Sequence, residues 1–259
     1  MALCGGLEMA LKADIDDTKL EALIKASDNG EEWAQREYGR IFDEYDMDPD
    51  FIERVCRTRV NIYKVPAQRG EKNAILRYAH ALAYLGYKKE AYDWYFVLIN
   101  KDDTDAMLAL SEQYNEYGSF GHNPEEEMRW LKLAGHGGNA EAQNKLGREC
   151  LCVSDKYNAL LWYELSARQN NPEGKIGYAG CLQEQLQTLN EYSRGWNEVA
   201  LGRYDYIKKK YGKLSYQECR TVMNDLFWKI EALYLDGLKR CNSDSYLSDA
   251  FSGLSGLYL

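Results

Sequence analysis

Five short segments of this chain repeat one pattern of side-chain size, and that pattern leaves few folds open. The segments begin at Ala34, Ala74, Ala106, Ala142 and Gly174. Four positions after each small residue comes a large apolar one, at Tyr38, Tyr78, Leu110, Leu146 and Tyr178. A second small residue follows at once, at Gly39, Ala79, Ser111, Gly147 and Ala179, and an apolar residue stands three further on, at Phe42, Leu82, Tyr114, Cys150 and Leu182. Positions i, i+4, i+5 and i+8 share one side of a helix. Small residues there let another backbone come close, while the large ones fill the space between neighbouring helices. The starts are 40, 32, 36 and 32 residues apart.

A second helix follows each of these first, or A, helices. Three copies carry Trp at matching places, in Ala91-x-x-Trp94, Glu127-x-x-Trp130 and Ala159-x-x-Trp162. Val60-x-x-Tyr63 and Leu20-x-x-Leu23 fill the same place earlier in the chain. Gly30, Gly70 and Gly137 stand seven residues beyond Leu23, Tyr63 and Trp130, where a left-handed cap ends a helix, and Asp102-Asp103 and Asn170-Asn171-Pro172 are the breakers of the other two units. Helix hairpins repeating at this interval stack into an α-solenoid.

The columns resemble the SEL-one-like repeat (SLR), a relative of the tetratricopeptide repeat. The best copy runs Asn139-Ala140-Glu141-Ala142-Gln143-Asn144-Lys145-Leu146-Gly147, with Asn158-Ala159-Leu160-Leu161-Trp162-Tyr163-Glu164-Leu165-Ser166-Ala167 as its second helix. The likeness covers roughly residues 20 to 185. The Gly-x-Gly loop common in the family is approximated only by Gly118-Ser119-Phe120-Gly121. The resemblance implies an all-α fold, a right-handed α–α superhelix of helix hairpins.

On this reading residues 1–185 hold the repeats, with units near 31–70, 71–102, 103–138, 139–171 and 172–185 onward. Residues 186–240 are divergent helices that cap the last hairpin. Ser215-Tyr216-Gln217-Glu218 is a capping box, and Cys219, Val222, Met223, Leu226, Phe227, Ile230, Leu233 and Tyr234 continue at helical spacing to Gly237. The Ser- and Gly-rich tail, 241–259, is expected as a loosely ordered end or a peptide that docks on a groove.

Composition narrows the function. The chain has 32 Lys+Arg against 41 Asp+Glu, a net charge of -9. Residues 1–50 alone hold 14 acids and 5 bases, so the whole excess is N-terminal. Such a balance argues against nucleic acid as the partner. Seven unevenly spaced Cys fit reduced thiols, no secretory signal is read at the start, and no apolar run has membrane-spanning length; a cytoplasmic protein without membrane insertion is expected.

The sequence offers no catalytic constellation. His80, His122 and His136 show no His-x-x-x-His or comparable ligand spacing, and Cys150-x-Cys152 points its thiols about 200° apart on a helix, so neither set is expected to make a metal site. Glu125-Glu126-Glu127 suits a helix first turn. No cofactor is expected and no enzyme.

What a helical solenoid supplies is a long concave face. By analogy with tetratricopeptide repeats, it is lined by the residues one before, two after, six after and nine after each first small residue. These are Trp33, Arg36, Arg40 and Asp43; Asn73, Leu76, His80 and Ala83; Asp105, Leu108, Glu112 and Asn115; Glu141, Asn144, Arg148 and Leu151; and Glu173, Ile176, Gly180 and Gln183. Trp33, Arg36, Arg40, Asn73, His80, Glu112, Asn115, Asn144 and Arg148 are the candidate partner-binding residues, with Trp33, Arg36 and Arg40 combining the types enriched at interface hot spots. The resemblance implies a scaffold or adaptor for a protein or peptide; a narrower version, which the sequence neither supports nor excludes, is one that neutralises a bacterial effector or toxin. The alternative is a small-molecule binder or hydrolase, after a cysteine-rich branch of the family linked to β-lactam binding, whose paired Cys and secretory signal are missing here.

Overall fold

A computed structural model describes residues 15–44, 48–193, 216–239 and 244–258. The described residues form twelve helices and no strand. They are α1 (Asp17–Asp28), α2 (Glu32–Glu44), α3 (Pro49–Gln68), α4 (Lys72–Tyr84), α5 (Lys88–Ile99), α6 (Thr104–Gln113), α7 (Pro124–His136), α8 (Ala140–Cys152), α9 (Lys156–Arg168), α10 (Pro172–Ser193), α11 (Tyr216–Leu238) and α12 (Asp244–Tyr258). The fold is all-α, as expected.

The five size-pattern segments lie in α2, α4, α6, α8 and α10, each the A helix of a hairpin. Their columns are interior. Ala74, Tyr78, Ala79 and Leu82 of α4 are buried, as are Gly174, Tyr178, Ala179 and Leu182 of α10. Gly39 of α2 departs from the pattern, being exposed, with no atom within 4 Å of where a Cβ would stand.

One backbone device ends each hairpin. Gly30, Gly70, Asp102, Gly138 and Asn170 all have positive φ, between 59° and 100°. In three of these turns the next residue caps the following A helix with its side chain. The Asp103 carboxylate accepts from the amides of Asp105 and Ala106, the Asn139 side chain from Ala142 N at 2.8 Å, and the Asn171 side chain from Gly174 N at 2.7 Å. A two-residue step thus stops one helix and starts the next. The expected cap at Gly137 is corrected by one residue: Gly137 N still bonds Leu133 O in the last turn of α7, and Gly138 takes the left-handed conformation.

The chain divides into two compact units, Met1–Trp130 and Leu131–Leu259, the division falling inside α7. In the first, Leu20 and Ile24 of α1, Ala34 and Ile41 of α2, and Phe51 and Val55 of α3 form one core cluster. An ion network anchors α1 above it. The Asp28 side chain, only 6% exposed, is paired with Arg77 of α4 and Arg59 of α3 and accepts from the Tyr63 hydroxyl at 2.6 Å. Further along, Tyr95, Leu110 and Trp130 are buried together, with Phe120 of the Gly118–Gly121 loop set edge-on to Tyr95 and Tyr114.

In the second unit α9, α10, α11 and α12 share one core. Tyr163 of α9 is its wedge, 2% exposed. A Cβ at Gly147 of α8 would stand 2.9 Å from the ring, and one at Gly177 of α10 under 3.0 Å from it. The small residues therefore admit an aromatic ring between successive A helices. Tyr234 of α11 repeats the arrangement against Gly253 of α12.

The C-terminal region differs in part from the sequence reading. The expected helix to Gly237 is present as α11, while Ser215 of the capping box lies outside the described residues. The tail forms α12, which packs on α10 and α11 with Ala250 fully buried. Its sequence carries the A-helix pattern after all, in Ala250, Leu254, Ser255 and Tyr258. As α10 packs on α8, so α12 packs on α10, and α12 stands where the A helix of a further hairpin would.

Candidate functional site

In the second unit a cavity of about 490 Å³ opens among α8, α9, α10, α11 and α12. Arg148 and Leu151 of α8 and Ile176 and Gly180 of α10 line it. All four are residues that the repeat register assigned to the concave face. Tyr163 and Tyr234, the two wedges, reach the same space from behind, and Cys152, Gly177 and Cys181 add to its largely apolar walls. Glu184 and Asp249 bring negative charge to the lining, opposite in sign to Arg148.

Glu184 pairs with Lys156 of α9. Burial pushes the Cys181 thiol up to about 12, the Glu184 charge adds to the rise, and Lys156 opposes it; the thiol is held protonated and is a poor nucleophile. The Tyr234 hydroxyl donates to Gln183 Oε1 at 2.9 Å, and Gln183 Nε2 donates to the carbonyl of Gly253 at 3.1 Å. Gln183, the last concave position of α10, thereby ties α11 and α12 to that helix. Asp249 was missed by the sequence reading. It stands one residue before Ala250, the first concave position of α12, and would have been found by extending the size pattern into the tail.

Asn144 takes a different place from its companions. It is 2% exposed and donates to Glu173 of α10 at 3.1 Å, so it joins neighbouring A helices beneath the face instead of presenting itself to a partner.

The remaining candidates belong to the first unit. Trp33, Arg36 and Arg40 share the exposed face of α2. Each leans on acids of its own helix or its entry: Trp33 Nε1 donates to Glu31 at 2.7 Å, Arg36 lies 4.0 Å from Glu32, and Arg40 bonds both oxygens of Glu37. The Arg40 hydrogen bonds lower the Glu37 pKa. On α4 and α6 the structure brings His80 beside Gln113, whose Nε2 is 3.3 Å from His80 Nδ1. The His80 ring keeps solvent-exposed area yet is crowded by protein atoms. That desolvation, together with Arg59, lowers its pKa, and Glu112 acts the other way. Asn73 is exposed at the start of α4, and Asn115 accepts from Tyr117 N at 2.9 Å in the turn after α6.

Among the described residues no group of three or more His, Cys, Asp or Glu side chains is placed to hold a metal ion. No helix of the described residues is long and apolar enough to cross a membrane.

No family model matches the chain, and no curated protein matches its sequence. Two solved structures are similar to it. One is a protective antigen present in uropathogenic Escherichia coli strains and displaying an SLR fold, at 15% identity and a TM-score of 0.39 over 93% of this chain and 67% of the other. The second is a Sel1 repeat protein from Oxalobacter formigenes, at 16% identity and a TM-score of 0.34 over 97% of this chain and 92% of the other. Neither likeness bears on what the chain binds.

Proposed function

We propose that the chain is a non-catalytic scaffold that binds a protein or peptide on the exposed faces of its A helices. One observation carries the reading: Arg148, Leu151, Ile176 and Gly180, assigned to one face by repeat register, line a single cavity with an apolar floor and charges of both signs. That combination suits an apolar anchor side chain flanked by polar contacts. Trp33, Arg36 and Arg40 form a second exposed cluster for the same purpose in the first unit. A narrower version of the same reading is a neutraliser of an effector or toxin.

Gly180 offers a clean test, because the nearest heavy atom to a Cβ there is the Tyr234 hydroxyl at 3.7 Å. Gly180→Phe is expected to fill the cavity and keep the fold. Proteins cross-linked to the parent chain in cells should be lost from this variant, or from the Trp33→Ala/Arg36→Ala/Arg40→Ala variant. Identical capture by all three would refute the groove. The cavity also falls within the size range of small-molecule sites, which supports a second reading as a small-molecule binder. A compound that raises the melting temperature of the parent but not of Gly180→Phe would favour it.

A further inference from the structure

One face of α11 is turned into the second unit through Leu226, Ile230 and Tyr234, all buried. The opposite face carries Thr221, Asp225, Trp228, Ala232, Leu235 and Lys239, and every one of them is exposed. Their spacings alternate between four and three residues, the interval that keeps one line of a helix against a second helix along its length. Lys239 continues the helical bonding, its amide donating to Leu235 O. Trp228 is 66% exposed and Leu235 is 46% exposed, so the middle of the line is apolar and large.

We propose that this line docks a second copy of the same chain, with two α11 helices antiparallel about a twofold axis at Ala232. Self-complementarity is the argument. Asp225 lies seven residues before Ala232 and Lys239 seven after it. A twofold axis at the midpoint therefore sets Asp225 of each copy opposite Lys239 of the other, and both pairs form at once. Parallel pairing would instead oppose like charges. Neither Asp225 nor Lys239 makes an ion pair within the chain among the described residues. The small side chain of Ala232 lets the two backbones approach at the crossing point, and Trp228 of one copy then covers Leu235 of the other. This surface is separate from the cavity residues, and its test does not require their partner.

Sedimentation velocity of the full chain across a concentration series decides the matter. The parent should form a dimer. Asp225→Lys alone places lysine against lysine at both ends of the seam, and Lys239→Asp alone places aspartate against aspartate; each should weaken the dimer by about tenfold or more. The combined variant reverses both pairs and should dimerise again. Ala232→Arg should give a monomer. All three positions are exposed, and circular dichroism is expected to show unchanged helix content. A parent that stays monomeric, a combined variant no tighter than the single ones, or a dimer that survives Ala232→Arg would each overturn the proposal.

Discussion

Replacing Gly177 by Ala sets two effects of opposite sign against each other. In a helix interior Gly→Ala stabilises by about 1 kcal/mol, because the glycine backbone loses more freedom on folding. At 177, however, the new methyl would lie under 3.0 Å from the Tyr163 ring carbons, where carbon atoms prefer about 3.5 to 4.0 Å. The ring cannot retreat freely, since it is 2% exposed and a Cβ at Gly147 on α8 would already stand 2.9 Å from it. Overpacking of this kind costs about 1 to 3 kcal/mol. Taking its upper half, the net effect is a destabilisation of about 1 to 2 kcal/mol, or roughly 2 to 8 °C in a chain of this size. Gly39→Ala, with nothing near its Cβ position, is the control and should stabilise by about 0.5 to 1 kcal/mol. In a Tyr163→Leu background the clash disappears and Gly177→Ala should change sign, a coupling of at least about 1 kcal/mol in a double-mutant cycle. Amide hydrogen exchange across α9 and α10 reads the effect locally, and thermal unfolding followed by circular dichroism reads it for the chain. If Gly177→Ala stabilised the parent as Gly39→Ala does, the wedge would not be setting the spacing of α8 and α10.

Tyr95 is fully buried and its hydroxyl has no hydrogen-bond partner among the described residues, so Tyr95→Phe should raise stability by about 1 kcal/mol in urea denaturation. Asp28→Ala removes the acceptor shared by Tyr63, Arg59 and Arg77 and should cost about 2 to 3 kcal/mol, with exchange rising first in α1. The lowered His80 pKa means that folding favours the neutral ring: its contribution is present above pH 6.5 and is lost as pH falls through the folded pKa. His80→Gln should flatten that acid-side slope, and the NMR titration of His80 should have its midpoint below 6.5. With its thiol pushed up to about 12, Cys181 should resist alkylation at pH 8 while exposed Cys152 reacts, as peptide mass spectrometry will show.

The hairpins were legible because their signals are local. Size alternation over nine residues marks an A helix, and a residue able to adopt positive φ followed by an Asx cap marks the turn. Gly137 was one residue out because a helix end is set by the last satisfied carbonyl, which composition does not specify. That the tail is a packed helix was not legible, for a tertiary reason. Glycine at 253 resembles loose chain, yet it is there to admit the Tyr234 ring, a partner nineteen residues away and on another helix. Asn144 occupies a position that register alone assigns to the exposed face. Its burial depends on Glu173, twenty-nine residues on, and no single-helix pattern contains that information.

The contacts that lock α11 and α12 onto α10 also bear on the order of folding. Side-chain bonds between neighbouring hairpins elsewhere span 26 to 49 residues, as in Gln169 to Gln143 and Arg77 to Asp28. Those of the last helices span 51 to 70, from Tyr234 to Gln183 and from Gln183 to Gly253. Doubling a loop adds about 0.6 kcal/mol of closure entropy, about a threefold change in rate. The earlier hairpins can each form from nearby chain, whereas the last closes across its long connection and should be the final one to dock, leaving the cavity walls unfinished until then.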